Sequence, residues 1–164
     1  MLGLEIRKYG DPILRQKCEE IGGITDEVRS LAKNMLKAMY RDNGVGLAAP
    51  QIGEKGRIIV VDVGQGPFSL VNPKILEKSA EKESDYEGCL SLPKVTLKIE
   101  RAKRVEIEGY LLEQGQRVKI KAEGLLARAF QHEVDHLDGA LIIDKVSYFR
   151  KLRAVRKLKK VLRV

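Results

Sequence analysis

Histidine is nearly missing from this chain: its 164 residues contain two. Cysteine is as scarce, at two. That allows at most one disulfide, and without a secretory signal Cys18 and Cys89 read as free thiols or metal ligands. No long apolar run opens the chain; Met1 to Asp11 carries Glu5, Arg7, Lys8 and Asp11, which excludes a secretory signal or membrane span there. Internal repeats, low-complexity stretches and linkers are also missing. The length supports one core and not two, so a single domain over 1–164 is expected, in the cytoplasm and away from membranes. Acid is missing from the C-terminus: residues 150–164 hold eight Lys and Arg and no Asp or Glu, although the net charge of the whole is only +8. The body is therefore neutral and the tail carries the excess. Leu152, Val155, Leu158 and Leu162 keep helical spacing, so a basic amphipathic helix is expected over about 147–163, with Ser147 as its cap. Such a helix either docks on its own domain or meets a polyanion such as RNA.

The two histidines that are present stand four apart in Gln131-His132-Glu133-Val134-Asp135-His136. On a helix, positions i and i+4 share a face, so both imidazoles can grip one divalent metal while Glu133 reaches its water as general base. Leu125, Leu126, Ala129, Phe130, Val134 and Leu137 supply the helical apolar spacing, and Gly139 is placed to end the helix. Two ligands do not complete a catalytic site, where three plus an open position is usual. The third must be Cys, Asp or Glu. Ile142 stands where a metzincin needs histidine, and no Glu follows Glu133, so the common zinc-peptidase patterns fail. Asp138 and Asp144 remain weak candidates. Cys89 is the better one, in the polar, glycine-containing run Asp85-Tyr86-Glu87-Gly88-Cys89-Leu90-Ser91, which reads as something other than a core strand.

Elsewhere, Thr25 reads as the N-cap of a helix whose buried face is Val28, Leu31, Ala32, Met35, Leu36 and Met39, stopped by Asn43-Gly44. A loop over 44–53 leads to a strand over 57–63 and an extended run over 68–78 broken by Pro73. Segments 105–112 and 117–122 read as a hairpin. Strands in the middle with helices at both ends indicate an α+β fold.

Three segments together, Gly44-Val45-Gly46-Leu47-Ala48-Ala49-Pro50-Gln51, Glu87-Gly88-Cys89-Leu90-Ser91 and Gln131-His132-Glu133-Val134-Asp135-His136-Leu137-Asp138-Gly139, resemble in order and separation the motifs of peptide deformylases. The resemblance spans essentially the whole chain, including Tyr9-Gly10-Asp11-Pro12-Ile13-Leu14-Arg15. It implies antiparallel sheets around a central metal-binding helix, and removal of the formyl group from N-terminal formylmethionine of nascent polypeptides with release of formate. It implies Cys89, His132 and His136 as ligands of one ion, Fe²⁺ in the cell and replaceable by Zn²⁺, Ni²⁺ or Co²⁺. Glu133 becomes the acid–base, and Gln51 and the Leu90 amide the oxyanion donors. Gly44, Val45, Gly46, Glu87 and Gly88 fall to substrate contact, with Leu125 and Ala129 as walls for the methionine side chain. Two departures from the family pattern bear on the substrate: Arg128, where an apolar residue is common, and Lys94-Val95-Thr96-Leu97, read as a substrate-holding loop. The resemblance further implies a monomer that touches ribosomal RNA through the basic helix. The competing readings are a metallopeptidase and a basic RNA-binding module whose structural Cys₂His₂ site would recruit Cys18.

Overall fold

The computed structural model describes residues 3–164, and within them the chain is α+β. Helix α1 (Asp26–Arg41) begins where expected: the Thr25 hydroxyl accepts a hydrogen bond from the Val28 amide at 3.3 Å, and Asp26 and Glu27 occupy the first turn. Ala32, Met35, Ala38 and Met39 are its fully buried residues, with Val28, Leu31 and Leu36 half-covered at the margin. Asn43 ends it at φ 57°, the left-handed conformation that Asn tolerates.

Five strands, β1 (Gly46–Ala48), β2 (Ile58–Val61), β3 (Phe68–Lys78), β6 (Arg104–Leu111) and β7 (Gln116–Glu123), form one antiparallel sheet in the order β1-β2-β3-β6-β7. The strand expected over 57–63 is thus shorter, and the run expected to break at Pro73 does not break. The pairing of β3 with β6 instead shifts register between Val71 and Lys74. Asn72 takes φ 52° there and turns its amide to the Ile21 backbone, with two bonds of 2.8 Å. A bulge is where a strand can accommodate a proline that has no N–H to give.

A second sheet was not anticipated. Strands β4 (Lys82–Cys89) and β5 (Leu92–Ala102) form a separate two-stranded antiparallel hairpin. The run containing Cys89 is therefore the end of a strand, and Lys94 to Leu97 is strand rather than loop. β4 is exposed at nearly every position, so it carries no alternation to detect. β5 does alternate: Val95, Leu97 and Ile99 are buried between exposed Lys94, Thr96, Lys98 and Glu100.

Helix α2 (Gly124–Leu137) packs against both sheets through buried Ala127, Ala129, Phe130, Val134 and Leu137. Gly139 ends it at φ 76°, where an added Cβ would lie 2.6 Å from the Arg15 carbonyl oxygen, so only glycine fits. Leu125, expected on the apolar face, is 54% exposed at the first turn. Helix α3 (Tyr148–Leu162) follows a short 3₁₀ turn at Ile142–Asp144 and rests on β5. Ser147 stands at its N-cap but makes no side-chain capping bond. The docked residues are Ala154 and Leu158, with Val155 beside them, while Leu152 of the expected stripe is 43% exposed. Among the described residues no helix is long and apolar enough to cross a membrane.

Candidate active site

α2 delivers the histidine pair and the end of β4 delivers Cys89. His136 Nε2 lies 3.2 Å from His132 Nε2 and 3.3 Å from Cys89 Sγ. The three ligand atoms all fall within 4.8 Å of one another, the only such His/Cys/Asp/Glu group among the described residues. Tetrahedral bonds of roughly 2.0–2.3 Å place donor atoms about 3.3–3.8 Å apart, so this spacing suits one ion of the zinc or ferrous class. Burial opposes charging of His132, yet Cys89, Glu133 and Glu87 outweigh it and hold its pKa up; burial and the charge of His132 push His136 down. Two imidazole nitrogens that close cannot both carry protons, which favours a shared cation between them.

His132 is oriented from behind. Its Nδ1–H donates to Glu87 Oε1 at 2.8 Å, which leaves Nε2 as the free lone pair. Glu87 is itself held by Arg101, with Nε to Oε2 at 2.8 Å and Nη2 to Oε1 at 2.9 Å, and by Arg128 Nη1 to Oε2 at 2.7 Å. Arg101 also reaches Asp135 at 2.5 Å. Burial would raise the Glu87 carboxyl, but Arg101 and His132 hold it well below the usual carboxylate range. This network is the part of the site that residue-by-residue reasoning missed. A signal for it existed: continuing the buried alternation Val95, Leu97, Ile99 by two lands on Arg101, a charge on an apolar face that demands a buried partner. The resemblance places Glu87 among the substrate contacts. Although it contributes to the cavity wall, its carboxylate is fully engaged inward.

Glu133 is the counterpart. It is buried, and its Oε2 has no hydrogen-bond partner among the described residues. Burial pushes its carboxyl up to about 7, with the charge of His132 opposing and that of Glu87 adding. A carboxyl poised near neutrality can both take and return a proton. Gly46 makes room for it: a Cβ there would meet Glu133 Cγ and Cδ at 2.9 Å and collide with the carboxylate oxygen. Gln51 is buried rather than a loop amide on the surface. Its Oε1 accepts from the Ala48 amide at 2.9 Å, which turns Nε2 toward Ser91 Oγ at 3.1 Å and Cys89 Sγ at 3.6 Å. Leu90 follows Cys89 at the hairpin turn, and its carbonyl accepts from Lys8 Nζ at 2.8 Å.

These groups surround a cavity of about 430 Å³. Gly44, Val45, Gly46, Gln51, Glu87, Gly88, Cys89, Leu90, Leu125, Ala129, His132 and Glu133 all line it, and so do Tyr86, Lys94 and Arg128. Of the residues to which the resemblance gives a ligand, catalytic or substrate role, only His136 is absent from the lining, sealed behind Cys89 and His132 at 2% exposure. The weaker third-ligand candidates are engaged elsewhere: Asp138 pairs with Arg57, and Asp144 with Arg15 and Lys151. Cys18 is buried in a different apolar cluster, its amide on the Leu137 carbonyl, so a Cys₂His₂ site does not form.

The family model for polypeptide deformylase matches residues 3–152. The chain belongs to the polypeptide deformylase family. A peptide deformylase of Dictyoglomus thermophilum is 53% identical over 141 residues, covering 86% of this chain and 91% of that protein. Another, from Thermotoga maritima, is 43% identical over 158 residues and covers 96% of each. The crystal structure of the Ehrlichia chaffeensis peptide deformylase in complex with actinonin superposes with a TM-score of 0.94 at 36% identity, covering the whole of both chains. The deformylase architecture thus extends to the last helix.

Proposed function

We propose that this chain is a metal-dependent hydrolase that removes the formyl group from the N-terminal formylmethionine of nascent polypeptides and releases formate. The observation that carries the reading is a buried Glu133 carboxylate, its Oε2 without a hydrogen-bond partner among the described residues, beside three convergent ligand atoms at the base of a cavity. Cys89, His132 and His136 would hold the ion, Fe²⁺ in the cell with Zn²⁺, Ni²⁺ or Co²⁺ as substitutes, because one thiolate and two imidazoles suit these ions and not Mg²⁺ or Ca²⁺. When bound, the metal acidifies a water and polarises the formyl oxygen. Glu133 Oε2 takes the water proton as attack begins and returns it to the departing amine nitrogen. Gln51 Nε2 and the Leu90 amide donate to the oxygen that gains negative charge, and the bond from Ala48 holds Gln51 in place beforehand. The free edge of β1, with Gly44 and Val45 just before it, accepts the peptide as an added strand. Leu125 and Ala129 flank the methionine side chain, and Gly88 leaves its backbone approachable.

Within the same reading the protein is a cytoplasmic monomer that waits near the ribosome. The exposed face of α3, with Arg153, Arg156, Lys157 and Lys160, supplies a polycationic surface for rRNA. A metallopeptidase reading has no support from the site: Cys89, not a downstream residue, completes the ligand set. The reading is tested with protein prepared without oxygen and assayed for metal. Formate from a formyl-Met peptide, with no hydrolysis of its acetyl counterpart, is the expected result; cleavage of internal peptide bonds instead would overturn it.

A further inference from the structure

We propose that Arg128 determines which first side chain the site accepts, by bridging the two walls of the side-chain pocket and clamping the β4–β5 hairpin to α2. The proposal deepens the deformylase reading and rests on it for its substrate. Arg128 sits one turn before His132 on α2 and lines the cavity, yet is only 7% exposed. Its guanidinium crosses to the opposite wall and bonds both strands of the hairpin. Nη1 donates to Glu87 Oε2 at 2.7 Å and to the Ile99 carbonyl at 2.9 Å, and Nη2 to the Glu83 carbonyl at 2.8 Å. A flexible side chain is thereby fixed at its far end, and its methylene stem becomes a rigid piece of pocket surface.

The hairpin needs such a clamp. It shares no strand pairing with the five-stranded sheet, so its position against α2 rests on packing and side-chain bonds. Of the other bridges, Arg101 to Asp135 and the paired bonds between Gln131 and Ala102 lie toward the end of β5, and His132 to Glu87 lies at the metal-ligand end of the cavity. Arg128 is the bridge at the pocket itself, between Leu125 and Ala129 on one wall and Tyr86 to Gly88 on the other. With its guanidinium in place the hairpin wall is held at a fixed distance from α2, and the proposed preference for an unbranched side chain over a ring follows from that fixed spacing. A lysine has no planar fork and cannot bond Glu87 and both backbone carbonyls in the same plane.

The test compares the metal-loaded parent with R128M and R128K on formyl-Met, formyl-norleucine and formyl-Phe peptides of otherwise equal sequence, and follows amide hydrogen exchange over 83–101. In R128M the kcat/KM preference for formyl-Met over formyl-Phe falls about 10-fold or more. The change lies chiefly in KM, and R128K falls between R128M and the parent. A side chain that only supported folding would lower all substrates alike. Unchanged preference in either variant overturns the specificity claim; because R128K retains the charge, it decides the matter even where R128M folds poorly. Exchange at the hairpin amides quickens in both variants, and unchanged exchange overturns the clamp. A parent that releases no formate from any peptide overturns the specificity claim together with the deformylase reading, whereas the exchange measurement still judges the clamp by itself.

Discussion

Glu87→Gln removes one charge from the middle of the buried network while keeping its shape. The carboxylate accepts four hydrogen bonds, two from Arg101 and one each from Arg128 and His132. An amide retains one oxygen, and its NH₂ faces guanidinium N–H groups that have no lone pair with which to accept from it. Breaking a buried ion pair by neutralising one partner costs about 3–5 kcal/mol. Here the lower end applies, since Arg101 keeps Asp135 and Arg128 keeps two carbonyls. A loss of about 3 kcal/mol lowers Tm by roughly 6–12 °C for a domain of this size. His132 loses the partner that fixes its ring, so metal affinity should fall about 10–100-fold. The folded-state pKa of Glu87 is depressed, so its contribution is present above its unfolded value and is lost only as pH falls through the lower folded value; the variant should lose that part of the acid dependence. Urea titration at several pH values and competition with a chelator measure both effects. A stability change under about 1 kcal/mol together with parental metal affinity would refute the reasoning that this network orients the ligand.

Further outcomes are expected at other sites. Gly46→Ala forces the Glu133 carboxylate aside and should lower kcat by about 10–100-fold with metal retained, as read by turnover beside metal analysis; a parental rate would mean the carboxylate has room to yield. Burial raises the Asp144 carboxyl, but Arg15, Lys151 and the Leu141 amide hold it down to about 2. Its stabilising contribution is thus present above about pH 4 and lost as pH falls through about 2. Partial exposure screens it, so Asp144→Asn should cost about 1 kcal/mol at neutral pH and progressively less as pH falls toward about 2, checked by urea titration. Reversing the charges of Arg153, Arg156, Lys157 and Lys160 with Ala154 and Leu158 kept should abolish salt-sensitive co-sedimentation with ribosomes and spare formyl-peptide turnover. Co-sedimentation equal to the parent would make α3 a structural helix alone.

The site was more legible in the sequence than the scaffold around it. Metal ligands must be particular residue types at particular spacings, so the His132–His136 pair, with no third histidine and no later glutamate, narrowed the ligand search toward Cys89. The helices declared themselves through caps and stops that act locally: Thr25, Asn43 and Gly139 behave as their chemistry requires. β4 was silent because a hairpin lying on the surface exposes Lys82 to Tyr86 on both faces, which removes the period-two signal. β5 carries that signal, although the family pattern suggests a loop at Lys94 to Leu97. Hydrogen bonds between distant segments leave no local trace. Glu87 to Arg101, Arg128 and His132 spans separations of 14, 41 and 45 residues, and only the charge placed on an apolar face hinted at it.

Deformylation by this chain turns on one proposed role: Glu133 moves the proton beside an ion held by Cys89, His132 and His136. Its most direct test is the turnover of formyl-Met peptide by Glu133→Ala protein whose metal content and fold have first been verified. The expected result is a full complement of metal with a rate about 10²–10⁴-fold or more below the parent. Near-parental formate release from metal-replete Glu133→Ala protein would mean that another group moves the proton.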